Sequence, residues 1–491
     1  MRDFSLEGVQ RALKRAVGSA SPPMGVGERA FPRFGPGLVL RDYRILCYLR
    51  TQDLSEIRAV VPVDCLEERL QGSSQPCRDT VSLLSHPALR RSDTMPPYGA
   101  KLFIYRDTPE LRALASEKGW ILLANPFPVR MRWENKAWFR SRLRQAGLPA
   151  AQGVVVPVEG LCDGLFRELR ERWREGLVIQ VPDFPRGGGR ATHFIRDEAQ
   201  LDEVRRRWVC GTHRGHNFKE VLISPWIEGP SLSMEGCVTT SGVLLSPLQT
   251  QLVDIPEVLP EGRMGRFCGH QWGVPEYPAE VGESARKVCR WVGEALRKEG
   301  YLGIFGLDFA LDRRSGTLYA LECNPRYTGA FPVLTLLQAA AGLPPLEAFH
   351  VLSWLQGEVS FPVEGLNRAF MEMPAASQLL LFHKGERSAR VEGSLEGGTY
   401  RWSEATGTAF RKGPAFPLAP PPWDPEEFLI LDGPPAMGTE LLPGEALDRV
   451  LRLVFFRPVL LESGELDPFA VRVIRWTYGS LGLPEGKAPN S

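Results

Sequence analysis

The chain has no long apolar run, no excess of charge of either sign and few histidines. Among its 491 residues, 59 are Lys or Arg and 58 are Asp or Glu, which gives a formal net charge of +1. Because the basic and acidic residues are nearly equal in number, the chain has no general electrostatic attraction to nucleic acid. No stretch approaches the roughly 18 apolar residues of a membrane-spanning helix, and the charged N-terminus resembles an amphipathic helix rather than a signal peptide. We therefore expect a cytoplasmic protein with no nucleic-acid and no membrane partner.

Cysteine and histidine usage gives no sign of a disulfide framework or a zinc site. The nine cysteines are odd in number and none has C-x-x-C spacing, while the 7 histidines are scattered. This pattern is typical of reduced thiols. Cys323 alternates onto the apolar side of its predicted strand, so we expect it to pack rather than to act as a nucleophile.

The N-terminal quarter shows an alternation of strands and helices. Strands are predicted at 43–49, 59–63, 101–105 and 120–124, and a helix at 109–118. Residues 19–37, rich in Pro, Gly and Ser, are predicted to be a loop. The length of the chain indicates about three domains.

The segment from Gly303 to Pro332 has the pattern of a two-strand hairpin and is the most informative part of the chain. Its residues alternate with a period of two on both sides of a glycine-containing turn. We expect Asp312 to pair with Leu318. The antiparallel register then places Asp308 opposite Glu322 on one face, with their side chains about 5 Å apart. Two facing carboxylates repel each other unless a cation or a proton lies between them.

The polar side chains of this face suit a magnesium ion. Mg²⁺ prefers hard oxygen ligands and is commonly held between one or two carboxylates and substrate phosphates. Asp308 and Glu322 are therefore candidate ligands of Mg²⁺ (or Mn²⁺), and Asn324 can complete the shell. Arg326 follows the end of the strand, where its guanidinium could stabilise developing negative charge. We accordingly expect Asn324 and Arg326 to take part in catalysis.

An amphipathic hairpin whose polar side faces water is the alternative, since edge strands normally carry charge. The predicted carboxylate face, however, also holds Ala310 and Ala320, small residues that leave room for a ligand. The Glu-Cys-Asn-Pro-Arg run is also hard to explain by solubility. The hairpin resembles the metal-binding end of ATP-grasp enzymes, in which an acidic residue and a Glu-x-Asn-Pro-Arg run on the next strand hold the magnesium of Mg-ATP.

The resemblance implies upstream motifs in a fixed order, and most are present. Lys136, at the start of an amphipathic stretch, resembles the family's early lysine that reaches the ATP phosphates; a solvated first-turn lysine is the alternative. A short apolar strand at 177–181 leads into a glycine-rich loop, whose backbone amides can close on phosphate oxygens. A flexible turn is the alternative for this loop. The implied phosphate-binding residues are Arg186, Gly187, Gly188, Gly189 and Arg190.

Residues 221–228 resemble the segment that grips adenine with backbone groups. The resemblance implies that the carbonyl of Pro225 accepts from the exocyclic amine and that the amide of Ile227 donates to a ring nitrogen. One departure concerns the strand before the glycine-rich loop, which usually carries a phosphate-binding lysine. Gln180 occupies that place here and supplies no charge. Either a loop arginine replaces the missing cation, or the site binds nucleotide with diminished chemistry.

The resemblance implies an α/β (α+β) fold with an ATP-grasp core. Residues 1–125 would form an N-terminal Rossmann-like domain, residues 126–375 the ATP-grasp domain with a lid at about 153–231, and residues 376–491 a small β-rich C-terminal domain.

Between the core strands, residues 249–277 are predicted to be a long irregular segment. Loops of this length are often functional. Arg263 and Arg266 within it could clamp a substrate carboxylate; solvated loop arginines are the alternative.

The resemblance implies ligation through an acyl phosphate. A substrate carboxylate would attack the γ-phosphate of ATP, with Mg²⁺ bound, and an amine or other nucleophile would then displace phosphate. The partners would be small-molecule or peptide carboxylate and amine substrates, in particular those of an amino acid or peptide. Two alternatives remain: a carboxylase-type ATP-grasp enzyme using bicarbonate, and a nucleotide-binding regulatory module that has lost turnover. The sequence is compatible with a homodimer but does not define the oligomeric state.

Overall fold

The computed structural model describes residues 5–18, 22–70, 79–89, 94–184, 189, 191–208, 210–260, 264–273, 277–356, 360–442 and 449–484. These residues form the mixed α/β fold that the sequence predicts. Its main parts are a five-stranded parallel sheet, a four-stranded antiparallel sheet and an eleven-stranded sheet. No helix in the described ranges is both long enough and apolar enough to span a bilayer.

The N-terminal unit is a parallel sheet flanked by helices. Its elements are α1 (Leu6–Val17), β1 (Met24–Gly27), β2 (Arg44–Cys47), α2 (Leu54–Arg58), β3 (Val63–Cys65), α3 (Thr80–Leu84), β4 (Lys101–Phe103), α4 (Pro109–Lys118) and β5 (Ile121–Leu122). The strand order is β3-β2-β1-β4-β5, and every pairing is parallel. The Rossmann-like character expected for this part of the fold is confirmed.

Two predictions in this unit are wrong. The central strand β1 lies inside the segment predicted to be a loop, because its glycines read as a turn signal. Gly25 serves close packing instead, since a Cβ there would lie 2.3 Å from the hydroxyl of Tyr43. The strand predicted at 59–63 begins only at Val63, because helix α2 and its closing turn occupy the residues before it.

Two helices and the lid follow. The helices are α5 (Phe127–Glu134) and α6 (Lys136–Gln145), and the lid elements are β6 (Val154–Pro157), α7 (Asp163–Arg172), β7 (Leu177–Gln180), β8 (Thr192–Ile195), α8 (Glu198–Trp208), β9 (Thr212–His213), β10 (His216–Asn217) and β11 (Glu220–Pro225). Asn135 caps α6 by accepting a hydrogen bond from the amide of Trp138 at 3.0 Å. The lid sheet has the order β6-β11-β7-β8.

The large sheet runs through the rest of the chain. Its elements and the flanking ones are β12 (Ser231–Thr239), β13 (Gly242–Leu245), β14 (Gln249–Val253), β15 (Phe267–Trp272), α9 (Ala279–Lys298), β16 (Gly303–Leu311), β17 (Leu318–Asn324), α10 (Phe331–Ala340), α11 (Leu346–Gln356), α12 (Val363–Met371), β18 (Ala376–Phe382), β19 (Ala389–Arg390), β20 (Gly398–Ser403), β21 (Thr408–Gly413), β22 (Glu427–Leu431), β23 (Glu440–Leu441), β24 (Arg449–Phe455) and α13 (Pro468–Ser480). The order is β17-β16-β12-β14-β15-β18-β24-β22-β20-β21, and β13 pairs with β12.

The prediction of a long irregular segment at 249–277 is wrong, because it contains β14 and β15. Several buried positions of these two strands hold polar side chains, such as Gln249 and His270. The sequence therefore lacks the alternation of apolar and polar residues that predicts a strand.

The C-terminal part is rich in strands, as expected, but these strands extend the large sheet. Strand β18 pairs with β15, and β24 pairs with β18. The domain limits given above stay predictions.

His350 on α11 joins the N-terminal unit to the large sheet. Its Nδ1 accepts from the amide of Ile304 at 3.2 Å, and its Nε2 lies 3.0 Å from the carbonyl of Leu123. Because Nδ1 accepts, Nε2 carries the proton and donates it to the carbonyl. Burial lowers the pKa of His350 to about 4.

We predict that stability falls with acidification through this histidine. The unfolded chain binds its proton below pH about 6.5, whereas the folded chain resists it down to pH about 4. The free energy of unfolding should therefore fall across this window, by up to about 3 kcal/mol from this group. Urea unfolding at several pH values would measure the slope. His350→Gln keeps a donor and an acceptor and should flatten it; an unchanged slope would contradict the prediction.

Candidate active site

The hairpin of β16 and β17 brings the two predicted carboxylates together. Asp308 pairs with Glu322, as the sequence predicts. The predicted pairing of Asp312 with Leu318 is wrong, because Leu311 takes that partner and the register shifts next to Asp308. This β-bulge places one extra residue, Leu321, in β17.

Because of the bulge, the residues that share a face with Asp308 and Glu322 differ from those predicted. A one-residue shift sends every following side chain to the opposite face. Ala320 is thus fully buried in the core beneath the sheet, while Ala310 and Leu321 line the cavity above it. Cys323 packs into the same core as Ala320, which confirms it as an apolar packing residue.

Asp308 and Glu322 differ in charge because their surroundings differ. Burial alone would raise the pKa of Glu322, but the charge of Lys136 and the hydrogen bonds from Asp308 and Lys136 lower it to about 2. The ammonium of Lys136 lies 2.7 Å from Oε2 of Glu322. Burial raises the pKa of Asp308 well above its ordinary value, and the charge of Glu322 raises it further. Protonation of the pair is therefore favoured at Asp308 and disfavoured at Glu322.

Asn324 and Arg326 form a hydrogen-bonded chain behind this pair. Asn324 donates from Nδ2 to Asp308 at 2.9 Å, and its Oδ1 accepts from Arg326 at 2.7 Å. Arg326 also donates to Glu134 at 2.7 Å and to the hydroxyl of Tyr105 at 2.8 Å. Neither Asn324 nor Arg326 is among the residues lining the adjoining cavity. In this arrangement both orient Asp308, and their metal-binding and catalytic roles stay predictions.

Gln251 completes the surroundings of Asp308. It lies on β14 and donates from Nε2 to Oδ1 of Asp308 at 2.6 Å. The sequence reasoning missed this residue because its strand was taken for an irregular segment. The available signal was the pair of β-branched residues Thr250 and Val253 in this five-residue run.

Two facing carboxylates, flanked by a lysine and amide side chains, fit a Mg²⁺ that also binds phosphate oxygens. Groups of three or more His, Cys, Asp or Glu side chains suited to a metal do not occur in the described ranges. The donor set therefore suits a metal that takes part of its shell from a substrate or water.

A cavity of about 740 Å³ lies between the lid and the large sheet. Its lining includes the carboxylate pair, Lys136 and the chain segment between β11 and β12. Pro225 and Ile227 both line it, where the sequence places the adenine contacts. Trp226 between them is anchored by its amide, which donates to the carbonyl of Gly176 at 2.9 Å. The structure thus brings the predicted nucleotide-binding backbone to the same cavity as the metal hairpin.

The glycine-rich loop is described in part. Gly189 lines the cavity with φ of +69°, and a Cβ there would lie 1.9 Å from the carbonyl oxygen of Gly265. Only glycine fits such a close approach. The other predicted loop residues lie outside the described residues; they are Arg186, Gly187, Gly188 and Arg190.

The structure places neither of the two predicted substrate arginines in the lining of the cavity. Arg263 lies outside the described residues. Arg266 donates from its amide to Asp254 at 2.7 Å and is not part of the cavity lining. Its role in substrate binding stays a prediction.

Residues 186–330 match the ATP-grasp domain family. This range covers residues 221–228, which are predicted to bind adenine, and the whole hairpin of β16 and β17. The chain carries an ATP-grasp domain. The resemblance carried by the Glu-x-Asn-Pro-Arg run is thereby confirmed.

Solved structures share the fold over most of the chain. Pyruvate carboxylase of Rhizobium etli matches with a TM-score of 0.59 and 13% identity, covering 89% of this chain and 36% of that one. The biotin carboxylase domain of Hydrogenobacter thermophilus 2-oxoglutarate carboxylase, solved with Mg-ADP and bicarbonate, matches with 0.55 and 14%, covering 89% and 86%. Phosphoribosylamine–glycine ligase of Thermotoga maritima matches with 0.52 and 15%, covering 88% and 91%.

At these identities the likeness shows the fold alone. The chain spans about a third of the length of the pyruvate carboxylase. A comparison with curated proteins finds no matching sequence.

A cation lies beside Gln180, before the matched range begins. Arg140, one helical turn after Lys136 on α6, donates to Oε1 of Gln180 at 2.9 Å and to the carbonyl of Leu321 at 2.9 Å. Gln180 in turn donates to the hydroxyl of Thr192 at 3.0 Å. The side chain of Arg140 is buried at the cavity, and its Nη1 has no hydrogen-bond partner. Burial lowers the pKa of Arg140 to about 10, which leaves it charged at neutral pH.

Sequence reasoning looked for the replacement cation in the loop and missed Arg140. The available signal was its spacing of four residues from Lys136, which places both side chains on one helix face. A buried N–H without a partner is costly. A phosphate oxygen in the cavity would satisfy it.

We predict that Arg140→Met weakens Mg-ATP binding by roughly tenfold or more, the scale of one hydrogen bond to a charged group. Methionine retains an unbranched apolar stem and removes the charge. Titration calorimetry with a non-hydrolysable ATP analogue and Mg²⁺ would measure the effect. Arg142→Met, at an exposed position of the same helix, is the control and should bind like the unmodified protein. Equal affinity of the two variants would contradict the prediction.

Proposed function

We propose that the protein is an ATP- and Mg-dependent ligase. It activates a substrate carboxylate as an acyl phosphate, joins it to the amine of an amino acid or peptide, and releases ADP and phosphate. The observation that carries the proposal is the convergence of the Asp308–Glu322 pair and Lys136 on the cavity that also contains Pro225 and Ile227.

The protein contributes positioning and electrostatics to this reaction. Mg²⁺ bound at Asp308 and Glu322 would neutralise charge on the transferring phosphoryl group. Lys136 keeps Glu322 ionised and lies within reach of an anion bound beside it. Arg140 offers its unpartnered Nη1 to the phosphates. Holding the two reactants together in such a cavity supplies much of the acceleration, and little covalent chemistry falls to the protein.

Two observations bear on the alternatives. Arg140 supplies a charge beside Gln180, so the absence of the strand lysine no longer favours a module without turnover. In the described ranges no residue contact distinguishes bicarbonate from another carboxylate, so only an experiment separates a carboxylase-type reaction from ligation. Phosphate release from Mg-ATP, measured with amino-acid pools and separately with bicarbonate, makes this distinction. Release that requires an acid and an amine together supports ligation, whereas release stimulated by bicarbonate alone contradicts it.

We predict that Glu322→Gln reduces Mg-ATP turnover by at least about a hundredfold, because the amide loses the charge that binds the metal and pairs with Lys136. The fold should persist, since the amide keeps the shape of the side chain; circular dichroism and cooperative thermal unfolding check this. Glu294→Gln, which alters a surface ion pair with Arg297 on α9, is the matched control. Turnover in a folded Glu322→Gln variant equal to that of the control would sink the assignment.

A further inference from the structure

A two-stranded hairpin of the lid contacts the segment that leads into the glycine-rich loop. Strands β9 and β10 pair antiparallel, with His213 opposite His216, so the two imidazoles lie on one face. Residues 182–184 connect β7 to the glycine-rich loop. The ring of Phe184 contacts both imidazoles, with centroid distances of 5.3 Å to His213 and 5.7 Å to His216. One face of the hairpin therefore packs on the entrance of the loop.

A hydrogen bond joins the hairpin to the same segment. Nε2 of His216 lies 3.2 Å from Oδ1 of Asp183. Because an ionised carboxylate can only accept, Nε2 carries a proton and donates it. The side chain of His216 is 24% exposed and that of Asp183 46%, so water screens this contact. We therefore expect the ring contacts of Phe184 to contribute more than the hydrogen bond.

The hairpin is itself fixed to the core of the lid. Trp208 on α8 is fully buried and donates from Nε1 to Nδ1 of His213 at 3.3 Å. Before β9, the amide of Gly211 donates to the carbonyl of Trp208 at 2.8 Å, and after β10 the amide of Phe218 donates to the carbonyl of Gly211 at 2.8 Å. Trp208 and Phe218 both belong to the apolar core of the lid. Both ends of the hairpin are thus anchored, so it can hold the segment packed on it.

The other side of the segment faces the candidate active site. Phe184 lines the cavity there, together with Gln180 and Gly189. Neither His213 nor His216 is among the lining residues. An influence of the two histidines on a molecule in the cavity must therefore pass through the segment that they hold.

We propose that His213 and His216 form a clasp that holds Asp183 and Phe184 in the position needed for nucleotide binding. Both histidines are positioning residues. The effect of the clasp on Mg-ATP rests on the proposed function, whereas the holding of residues 182–184 does not. A segment that is fixed before the ligand arrives loses less conformational entropy on binding, which strengthens the affinity.

His216→Ala removes the ring contact and the hydrogen bond of one half of the clasp. In the nucleotide-free protein, amide hydrogen exchange of the peptide that contains Asp183 and Phe184 should become faster, because opening of this segment becomes easier. Asn217→Ala, at the exposed next position of β10 with its side chain on the opposite face, is the control and should leave the exchange unchanged. Asp183→Ala removes the hydrogen bond alone and should speed the exchange by a smaller factor. It also serves if His216→Ala does not fold.

Titration calorimetry with a non-hydrolysable ATP analogue and Mg²⁺ measures the second effect. His216→Ala should weaken the Kd by about three- to tenfold, the scale of a ring contact and an exposed hydrogen bond. His216→Phe keeps a ring at this position and should restore most of the affinity. A side chain that only stabilised the lid would change the unfolding temperature without such a rescue.

The clasp would be refuted by exchange of this peptide that is the same in Asn217→Ala, His216→Ala and Asp183→Ala. A Kd of His216→Ala equal to that of Asn217→Ala, or a His216→Phe variant as weak as His216→Ala, would also overturn its role in nucleotide binding. If the unmodified protein does not bind the ATP analogue while His216→Ala still speeds the exchange, the proposed ligase is refuted and the holding of the segment stands.

Discussion

The ion pair between Lys136 and Glu322 is the interaction on which the candidate active site depends. It joins the first turn of α6 to strand β17 at 2.7 Å, and the amide of Lys136 also donates to the carbonyl of Pro182 in the lid at 2.9 Å. The same charge lowers the pKa of Glu322, and the negative charge of Glu322 in turn raises the pKa of Asp308. One lysine thus sets the charge of the carboxylate pair and ties together three parts of the chain.

The β-bulge at Leu321 gives the hairpin two functions on opposite faces. Below the sheet, Ala320 and Cys323 pack into an apolar core, which requires them to point downwards although they are an odd number of residues apart. Above it, Glu322 must face Asp308. A regular strand cannot satisfy both requirements, because alternation would send Ala320 to the face of Glu322. The extra residue resolves the conflict and places the Leu321 side chain in the cavity lining.

How much the sequence predicts depends on whether function disturbs local patterns. The hairpin, the pairing of Asp308 with Glu322 and the helix that begins at Lys136 follow from alternation, turn and capping signals that agree with the structure. Strand β14 was missed because Gln249, Thr250 and Gln251 stand where a typical buried strand has apolar residues. The roles of Arg140 and of the clasp depend on contacts between residues far apart in the chain. Single-sequence patterns do not contain such contacts.

Two cavities of the molecule differ in how they can change shape. The lid has an apolar core of its own, formed by residues between Val158 and Ile223, so it can move as a body about the segment that follows β11. The cavity of the candidate active site lies between this predicted lid and the large sheet and would open by such a motion. A second cavity, of about 650 Å³, lies at the carboxyl ends of the N-terminal parallel sheet. Around it, Phe31, Phe34 and Tyr327 belong to one core shared by the N-terminal unit and the large sheet. Its walls are therefore held by continuous packing, which would limit any change of shape there.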